Sequence, residues 1–420
     1  MINQQSTLFD ITEKYPETIP VFVSNGFPQM EDAAKRTTIG KSITLNAAVS
    51  MKKMDLDSFI RLLEEAISRS SDDTDITLNQ DKLKPVNSDG LNVVGILPCP
   101  VRIPLMEKWN AYLNSRKESG KAEVNHELKA ASMGLDWVQK NIDGVEDPDK
   151  LPDLFMSAGF DMFFDKQRFG RFRREGVFTD LTDIEQYNVD FSDLDIKDPQ
   201  GLYSIISVVP SLFLVNTEEL GDREAPRSWE DLLDPKFENS VSLPVSDFDL
   251  FNAILLNIHK KYGDNGVQAL GRSLLESMHP AQMVRSDEQP KQNKPAVTIM
   301  PYFFSKMVKE GGPLQAVWPE DGSIISPIFM LAKSAKAQEL KEIVDFFASE
   351  EVGNLLAVQG LFPSTNPNVS NVLPENSPFM WLGWDYIEQH DLSQLITHCE
   401  GLFNGATQGA QKTCSGGCCS

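Results

Sequence analysis

Apolar and polar positions along the chain fall into blocks whose spacing shifts between two and about 3.6 residues, and the clearest block runs from Ser204 to Leu243. Ile205, Ile206, Val208 and Val209, then Leu212 to Val215, form apolar, β-branched runs that predict strand, and Val241 to Leu243 predicts another. Between them the run PRSWEDLLDPKF, from Pro226 to Phe237, predicts a short acidic helix. Ser228 is placed to cap it with Asp231 three residues on, Trp229 and Leu232 give it an apolar face, and Asp234-Pro235 ends it.

The remaining blocks order the chain around this one. Residues 1–70 predict a small helical unit: Phe9, Ile11, Ile19, Val21, Phe22 and Val23 are its first apolar positions, and Gly26-Phe27-Pro28 breaks the pattern. After Thr44, Leu45, Ala48 and Met51 recur at helical spacing; after Asp55, Leu56, Phe59, Ile60, Leu62, Leu63 and Ile67 do the same. Residues 71–91 lie in a polar, aspartate-rich stretch with almost no aromatic residue, which reads as a linker. From Asn92, NVVGIL predicts a buried strand, followed by Pro98-Cys99-Pro100-Val101-Arg102 and a helix carrying Leu105, Met106, Trp109 and Leu113. Leu154 to Ser157 predicts the next strand, and Phe163 to Gly176 mixes phenylalanines with arginines as an exposed loop or helix. Phe251, Ile254, Leu255 and Ile258 share one face of a long helix opened by Pro244 to Asp249, Ala296 to Met300 predicts a strand, and the turn Trp318 to Gly322 precedes another at Ile324 to Leu331. A helix over residues 337–348, an aromatic helical cover over residues 380–402 and a small, polar, flexible tail at residues 403–420 complete the chain.

Charge narrows the partners. With 61 acidic against 39 basic side chains among 420 residues, the net charge of −22 argues against nucleic acid or an anionic membrane surface. No apolar run approaches the roughly 20 residues that span a bilayer. The first residues lack the basic start and apolar core of a secretory leader, so a cytoplasmic location is expected, with a periplasmic or extracellular one as the alternative if a leader was removed. Neither a Walker loop, nor G-x-S-x-G, nor His-Glu-x-x-His occurs, and no enzymatic activity is expected.

The candidate chemistry gathers at loops and in the tail. Ligands of open α/β sheets bind where strands end, so the loops after the predicted strands are the places to look. The first presents Cys99 and Arg102; its two prolines remove donors that an anion would use. A thiol near a helix N-terminus and a guanidinium suits a nucleophile or a soft-metal ligand, while a small packed core residue is the other reading. Ser157, Gly159 and Phe160 end the second strand, Ser246 and Asp247 are natural caps of the long helix, and Tyr302 follows the strand at 296–300. The five cysteines form no disulfide framework. Cys414, Cys418 and Cys419 crowd the last seven residues, where they suit a soft metal, an iron–sulfur fragment, a disulfide relay or no role at all.

Several of these runs together carry a likeness. PRSWEDLLDPKF with its Val-Ser-Leu-Pro strand, DLFMSAGF (Asp153 to Phe160), GGPLQAVWP (Gly311 to Pro319), Ala332 to Glu351 and Gly360-Leu361-Phe362-Pro363 resemble ABC-transporter solute-binding proteins of the ferric-iron type, over roughly Asn92 to Asn366. The resemblance implies a two-lobed type II periplasmic-binding-protein fold of the α/β class over residues 92–402, with mixed sheets and crossing hinge strands, a small ligand between the lobes and an ABC permease as partner. It also implies that Gly159 and its neighbours line the cleft and that the helix start at Ser246 and Asp247 faces the ligand. Ferric members hold iron with an adjacent tyrosine pair; here Tyr302 is followed by Phe303 and Phe304, which cannot ligate, so an organic ligand is favoured over ferric iron. Residues 1–70 resemble the redox-disulfide domain found beside hybrid-cluster proteins, yet Gly26 is followed by Phe27, Pro28, Gln29 and Met30 in place of Cys-x-x-Cys. Thiol exchange at that turn is thereby excluded, and docking, dimerisation or plain packing is left. The alternative to a solute receptor is a cytosolic metal or iron–sulfur carrier delivering its cargo through Cys414, Cys418 and Cys419 to a redox partner. A third reading is a thiol-dependent enzyme built on Cys99.

Overall fold

The computed structural model describes residues 2–24, 27–30, 32, 35–51, 56, 59–60, 63, 90–131, 135–160, 162–245, 248–277, 294–308 and 311–415. The chain divides into two units. One comprises Met1–Lys84 with Pro98–Glu123, the other Pro85–Leu97 with Val124–Ser420.

The first unit is helical. Helices α1 (Leu8–Lys14), α2 (Ile19–Ser24) and α3 (Leu45–Met51) enclose a core of Leu8, Ile11, Phe22, Phe27, Met30, Leu45, Ala48, Val49, Phe59 and Leu63. Thr7 caps α1 by accepting from the Asp10 N–H, and Phe22, Phe27 and Phe59 meet edge to face at 5.5–6.0 Å. Phe27, at the position where a redox-active turn would carry thiols, is therefore a core residue. On α3 the buried face runs through Val49; Met51 is 76% exposed. Helix α4 (Arg102–Glu118) also belongs to this unit, and its Ile103 joins the same core. The boundary expected at Asn92 thus falls differently: the chain enters the second unit for one strand, returns to the helical unit at Pro98 and leaves it again at Glu123.

The second unit is built on a mixed sheet of β1 (Leu91–Leu97), β2 (Val124–Ala130), β3 (Leu154–Ala158), β4 (Phe178–Thr179), β5 (Ser204–Asn216), β6 (Val241–Leu243), β7 (Leu274–Ser277), β8 (Val297–Pro301), β9 (Leu314–Val317), β10 (Ser323–Lys333) and β11 (Phe379–Met380), whose main path runs β2-β1-β3-β10-β5-β8-β6-β7, with β4 and β11 pairing with β10 and β9 with β5. On one side lie β1 (Leu91–Leu97), β2 (Val124–Ala130) and β3 (Leu154–Ala158), mutually parallel. On the other lie β6 (Val241–Leu243), β7 (Leu274–Ser277) and β8 (Val297–Pro301), also parallel. Two long strands join the halves, β5 (Ser204–Asn216) and β10 (Ser323–Lys333). Through Pro210, β5 pairs antiparallel with β10, and from Ser211 onward it pairs with β8. Proline has no N–H to give to a ladder, so Pro210 suits the residue at which the strand changes partners. The apolar runs before and after Pro210 form one strand, as their pattern predicts, and it crosses between the halves.

The segment PRSWEDLLDPKF folds as expected. Helix α5 (Trp229–Leu232) starts in a full capping box: Ser228 Oγ accepts from the Asp231 N–H, and Asp231 Oδ2 accepts from the Ser228 N–H. A hydrogen bond from the Arg227 N–H, and after it those from the Ser228 side chain and N–H, outweigh burial and hold the Asp231 carboxyl below its ordinary range. Trp229 and Leu232 are fully buried.

The run from Phe163 to Gly176 departs from the expected exposed loop. Phe163, Phe164, Phe169 and Phe172 are all buried, packed with Phe155, Tyr203 and Phe329 at ring separations of 4.7–6.0 Å. Arg173 goes in with them because Glu388 accepts from its guanidinium and the Tyr203 ring lies beneath it. The mixed composition hides two faces, phenyl rings inward and the other cations outward. Trp381 and Trp384 cover the same cluster and donate to the Asp195 and Ile196 carbonyls.

The C-terminal segment also differs from expectation. Helix α6 (Phe248–Ser273) packs along the last helix, which runs unbroken from Leu392 to Ser415, so residues 403–415 are helical rather than a loose tail. Small residues predict flexibility in the sequence; in the fold they permit contact. A Cβ added at Gly271 would stand 2.5 Å from the Phe403 carbonyl oxygen and 3.0 Å from Ala406 Cβ, and Thr407 Oγ1 donates to the Gly271 carbonyl at 3.2 Å. Gly271→Leu is accordingly expected to cost about 1–3 kcal/mol by forcing the helices apart, read as a lowered midpoint in urea.

Candidate functional site

Strand register fixes where the loops meet. Ala158, the last residue of β3, lies opposite Ile328 of β10, which lies opposite Ser207 of β5. Gly159 (φ 84°) continues past that level and donates its N–H to the Pro327 carbonyl at 2.8 Å. Pro301, the last residue of β8, pairs with Ser211. Pro327 is opposite Val208, three positions from Ser211, so the ends of β3 and β8 flank one stretch of β5 about 10 Å long. Both carboxyl ends therefore open at the crossover between the halves, the kind of position where α/β sheets take ligands.

The sequence-predicted residues divide there. Ser157 is buried in β3 opposite Phe329. The Phe160 ring is buried against Trp381 at 5.6 Å and Phe164 at 5.3 Å, so what this residue presents is its carbonyl, which accepts from Asn252 Nδ2 at 3.4 Å. That contact links the loop after β3 to the first turns of α6. Asn252 escaped the sequence reading; the signal for it was its place one turn beyond the expected cap and one residue from the buried Phe251. Its Oδ1 is buried and has no hydrogen-bond partner among the described residues. Ser246 and Asp247 lie outside the described residues.

Tyr302 opens the turn after β8 (Tyr302–Met307) and stands edge-on to Trp318 at 5.2 Å. Burial raises its pKa, which opposes ionisation to a phenolate. Phe303 and Phe304 are buried, and Phe303 stacks on Phe362 at 6.4 Å. The two rings thus pack into the protein beside the one phenol that stays half-buried.

Arg102 is half-buried as the first residue of α4, and Cys99 opens the turn Cys99–Val101 before it; both belong to the helical unit. The Cys99 side chain lies outside the described part, as do Cys418, Cys419 and the side chain of Cys414 in the last turn of the C-terminal helix. The only cysteine side chain described is Cys399, fully buried, whose thiol is pushed up to about 12 first by burial and then by Asp264 and Glu400. It behaves as a small apolar residue.

Comparison with known proteins agrees with this architecture. A domain of unknown function, DUF1858, matches residues 2–60. No curated protein matches the chain. Among solved structures, the periplasmic binding protein P5PA superposes with a TM-score of 0.52 at 16% identity, covering 75% of this chain and 100% of that one. The ferric binding protein from Campylobacter jejuni gives 0.52 at 13% identity, covering 75% and 99%. AfuA from Actinobacillus pleuropneumoniae, with fructose-6-phosphate bound, gives 0.51 at 15% identity, covering 75% and 99%. At such identities these likenesses establish the type II periplasmic-binding-protein fold. The family described as bacterial extracellular solute-binding protein matches residues 149–390, more than half of the 420, and the chain belongs to that family.

Proposed function

We propose that the solute bound between the two lobes is a small organic molecule rather than ferric iron, and that the loaded protein hands it to an ABC-type permease. The observation that carries this reading is the triplet Tyr302-Phe303-Phe304: a single phenol beside two rings that pack inward and have no atom to ligate a metal. Ferric iron needs several hard anionic oxygens, and one phenol supplies a single one, whereas it serves an organic ligand as a hydrogen-bonding group. Asn252 adds a carbonyl oxygen that has no hydrogen-bond partner among the described residues, suited to a donor on the ligand. Ser157, Gly159, Phe160, Ser246, Asp247 and Tyr302 are the other residues assigned to binding. In this reading the protein performs no chemistry and works outside the cytoplasm, like the family it belongs to. Ligand closure would shift the lobes toward a bound population about the β5 and β10 hinge strands.

A thermal-shift screen of polar organic solutes is expected to yield a ligand, and Tyr302→Phe to weaken its calorimetric Kd about tenfold, the worth of one hydrogen bond. Ferric iron should give no phenolate-to-iron charge-transfer band. A tight ferric complex whose colour vanishes in Tyr302→Phe would overturn the organic-solute reading.

A further inference from the structure

Away from the crossover, the two helices that pack along each other bring three ligating side chains together. His259 and Asp264 lie on α6 and His398 on the helix Leu392–Ser415. Asp264 Oδ1 stands 3.1 Å from His259 Nε2 and 3.0 Å from His398 Nε2, and the three ligand atoms lie within 4.8 Å of one another. We infer that His259, Asp264 and His398 form a site for a borderline divalent transition metal of the zinc class, which clasps the C-terminal helix to α6.

The backbone builds this arrangement at some cost. In an unbroken helix two residues five apart point about 140° away from each other. Between His259 and Asp264, Gly263 adopts φ 63° and ψ −164°, a conformation open essentially to glycine alone. The break turns Asp264 back toward His259, and the neighbouring helix supplies the third group. Donors around a tetrahedral zinc ion are about 3.3 Å apart. The two nitrogen–oxygen edges are already within a few tenths of an ångström of that length. Two imidazoles and one carboxylate match the chemistry of zinc, cobalt or nickel better than that of calcium or magnesium.

The surroundings favour a cation as well. His259 Nδ1 lies 3.1 Å from Tyr386 Oη, so Nδ1–H can donate to that oxygen and leave the Nε2 lone pair for the metal, as ligating histidines usually do. Both neighbouring ammonium groups are engaged elsewhere, Lys260 on the Leu382 carbonyl at 2.8 Å and Lys261 on Asp321 at 2.8 Å. Asp264 and His398 are each about half exposed, which leaves the metal an entry path and an open position for water.

The test uses the full chain with Cys414, Cys418 and Cys419 replaced by Ser, so that the tail thiols do not compete. Zinc titration by calorimetry is expected to show one equivalent bound at micromolar affinity or tighter, and zinc should raise Tm by a few degrees. Cobalt should give a visible spectrum without sulfur charge-transfer bands. His398→Ala and Asp264→Asn should each abolish the site. Tyr386→Phe, which leaves the three ligands in place, should weaken zinc about tenfold. All variants are checked by circular dichroism for a retained fold. Zinc binding that is only millimolar, or that His398→Ala and Asp264→Asn leave unchanged, would show a hydrogen-bonded His–Asp–His cluster without metal and would overturn the proposal.

Discussion

Asp153→Ala is expected to destabilise the protein by about 3–5 kcal/mol, seen as a large drop in the urea midpoint followed by tryptophan fluorescence. Asp153 and Lys333 are each about 5% exposed, with Lys333 Nζ 3.5 Å from Asp153 Oδ1. The ammonium also donates to the Leu151 and Asp149 carbonyls, and Asp153 Oδ2 accepts from the Asn92 backbone at 2.8 Å and from its side chain at 3.2 Å. This group of contacts ties the end of hinge strand β10 to β1 and β3. Removing the carboxylate leaves a buried ammonium without its counter-charge and takes one acceptor from the Asn92 amides, and that penalty exceeds the worth of the pair itself. Asp153→Ala with Lys333→Met should therefore recover much of the loss. A double variant no more stable than Asp153→Ala would show that the pair acts through something other than an uncompensated charge.

Trp229→Ala should cost a similar 3–5 kcal/mol through the cavity it opens. The ring is fully buried against Phe213 at 4.9 Å, and its Nε1–H donates to the Gly322 carbonyl at 3.0 Å. Its own backbone N–H donates to Asp321 Oδ1 at 3.1 Å, while Asp321 Oδ2 accepts from Lys261 and Tyr262 on α6. The capping-box helix is thus the point at which β5, the turn before β10 and α6 are locked together. Trp229→Phe keeps most of the apolar contact and loses the hydrogen bond, so a cost nearer 1–2 kcal/mol is expected. Equal losses for the two substitutions in chemical denaturation would rule out cavity formation as the main term.

How far these features could be read in advance follows from their range. The capping box at Ser228 and Asp231, the buried Trp229 and Leu232 and the strands at 91–97, 154–158 and 297–301 depend on neighbours a few residues away, and each folds as its pattern predicts. Strand β2 went unread: Val124, Asn125, His126, Glu127 and Lys129 make a polar edge strand, and only pairing with β1 defines it. The phenylalanine and arginine run at 163–176 was misread because its composition permits either face, and Glu388, more than 200 residues away, decides which one Arg173 takes. The glycines and alanines of the last helix carry the same ambiguity, since a small residue serves flexibility and close packing equally well until a partner such as Gly271 is in place.

For the candidate site, the loops after β3 and β8 were legible from strand ends and from the family resemblance. Asn252 was not, because a polar residue on an amphipathic helix looks like a solvated face until the loop at Phe160 is laid against it.

The sequence by itself determined the local elements, the solute-binding family and the missing second tyrosine, since all three are carried by residue identity and short spacing. Tertiary structure alone decided the partner switch of β5 at Pro210, the burial of Lys333 with Asp153 and the meeting of His259, Asp264 and His398. Each of these joins residues whose separation along the chain carries no periodic signal, and their energy appears only once apolar packing has excluded water and brought the groups within bonding distance.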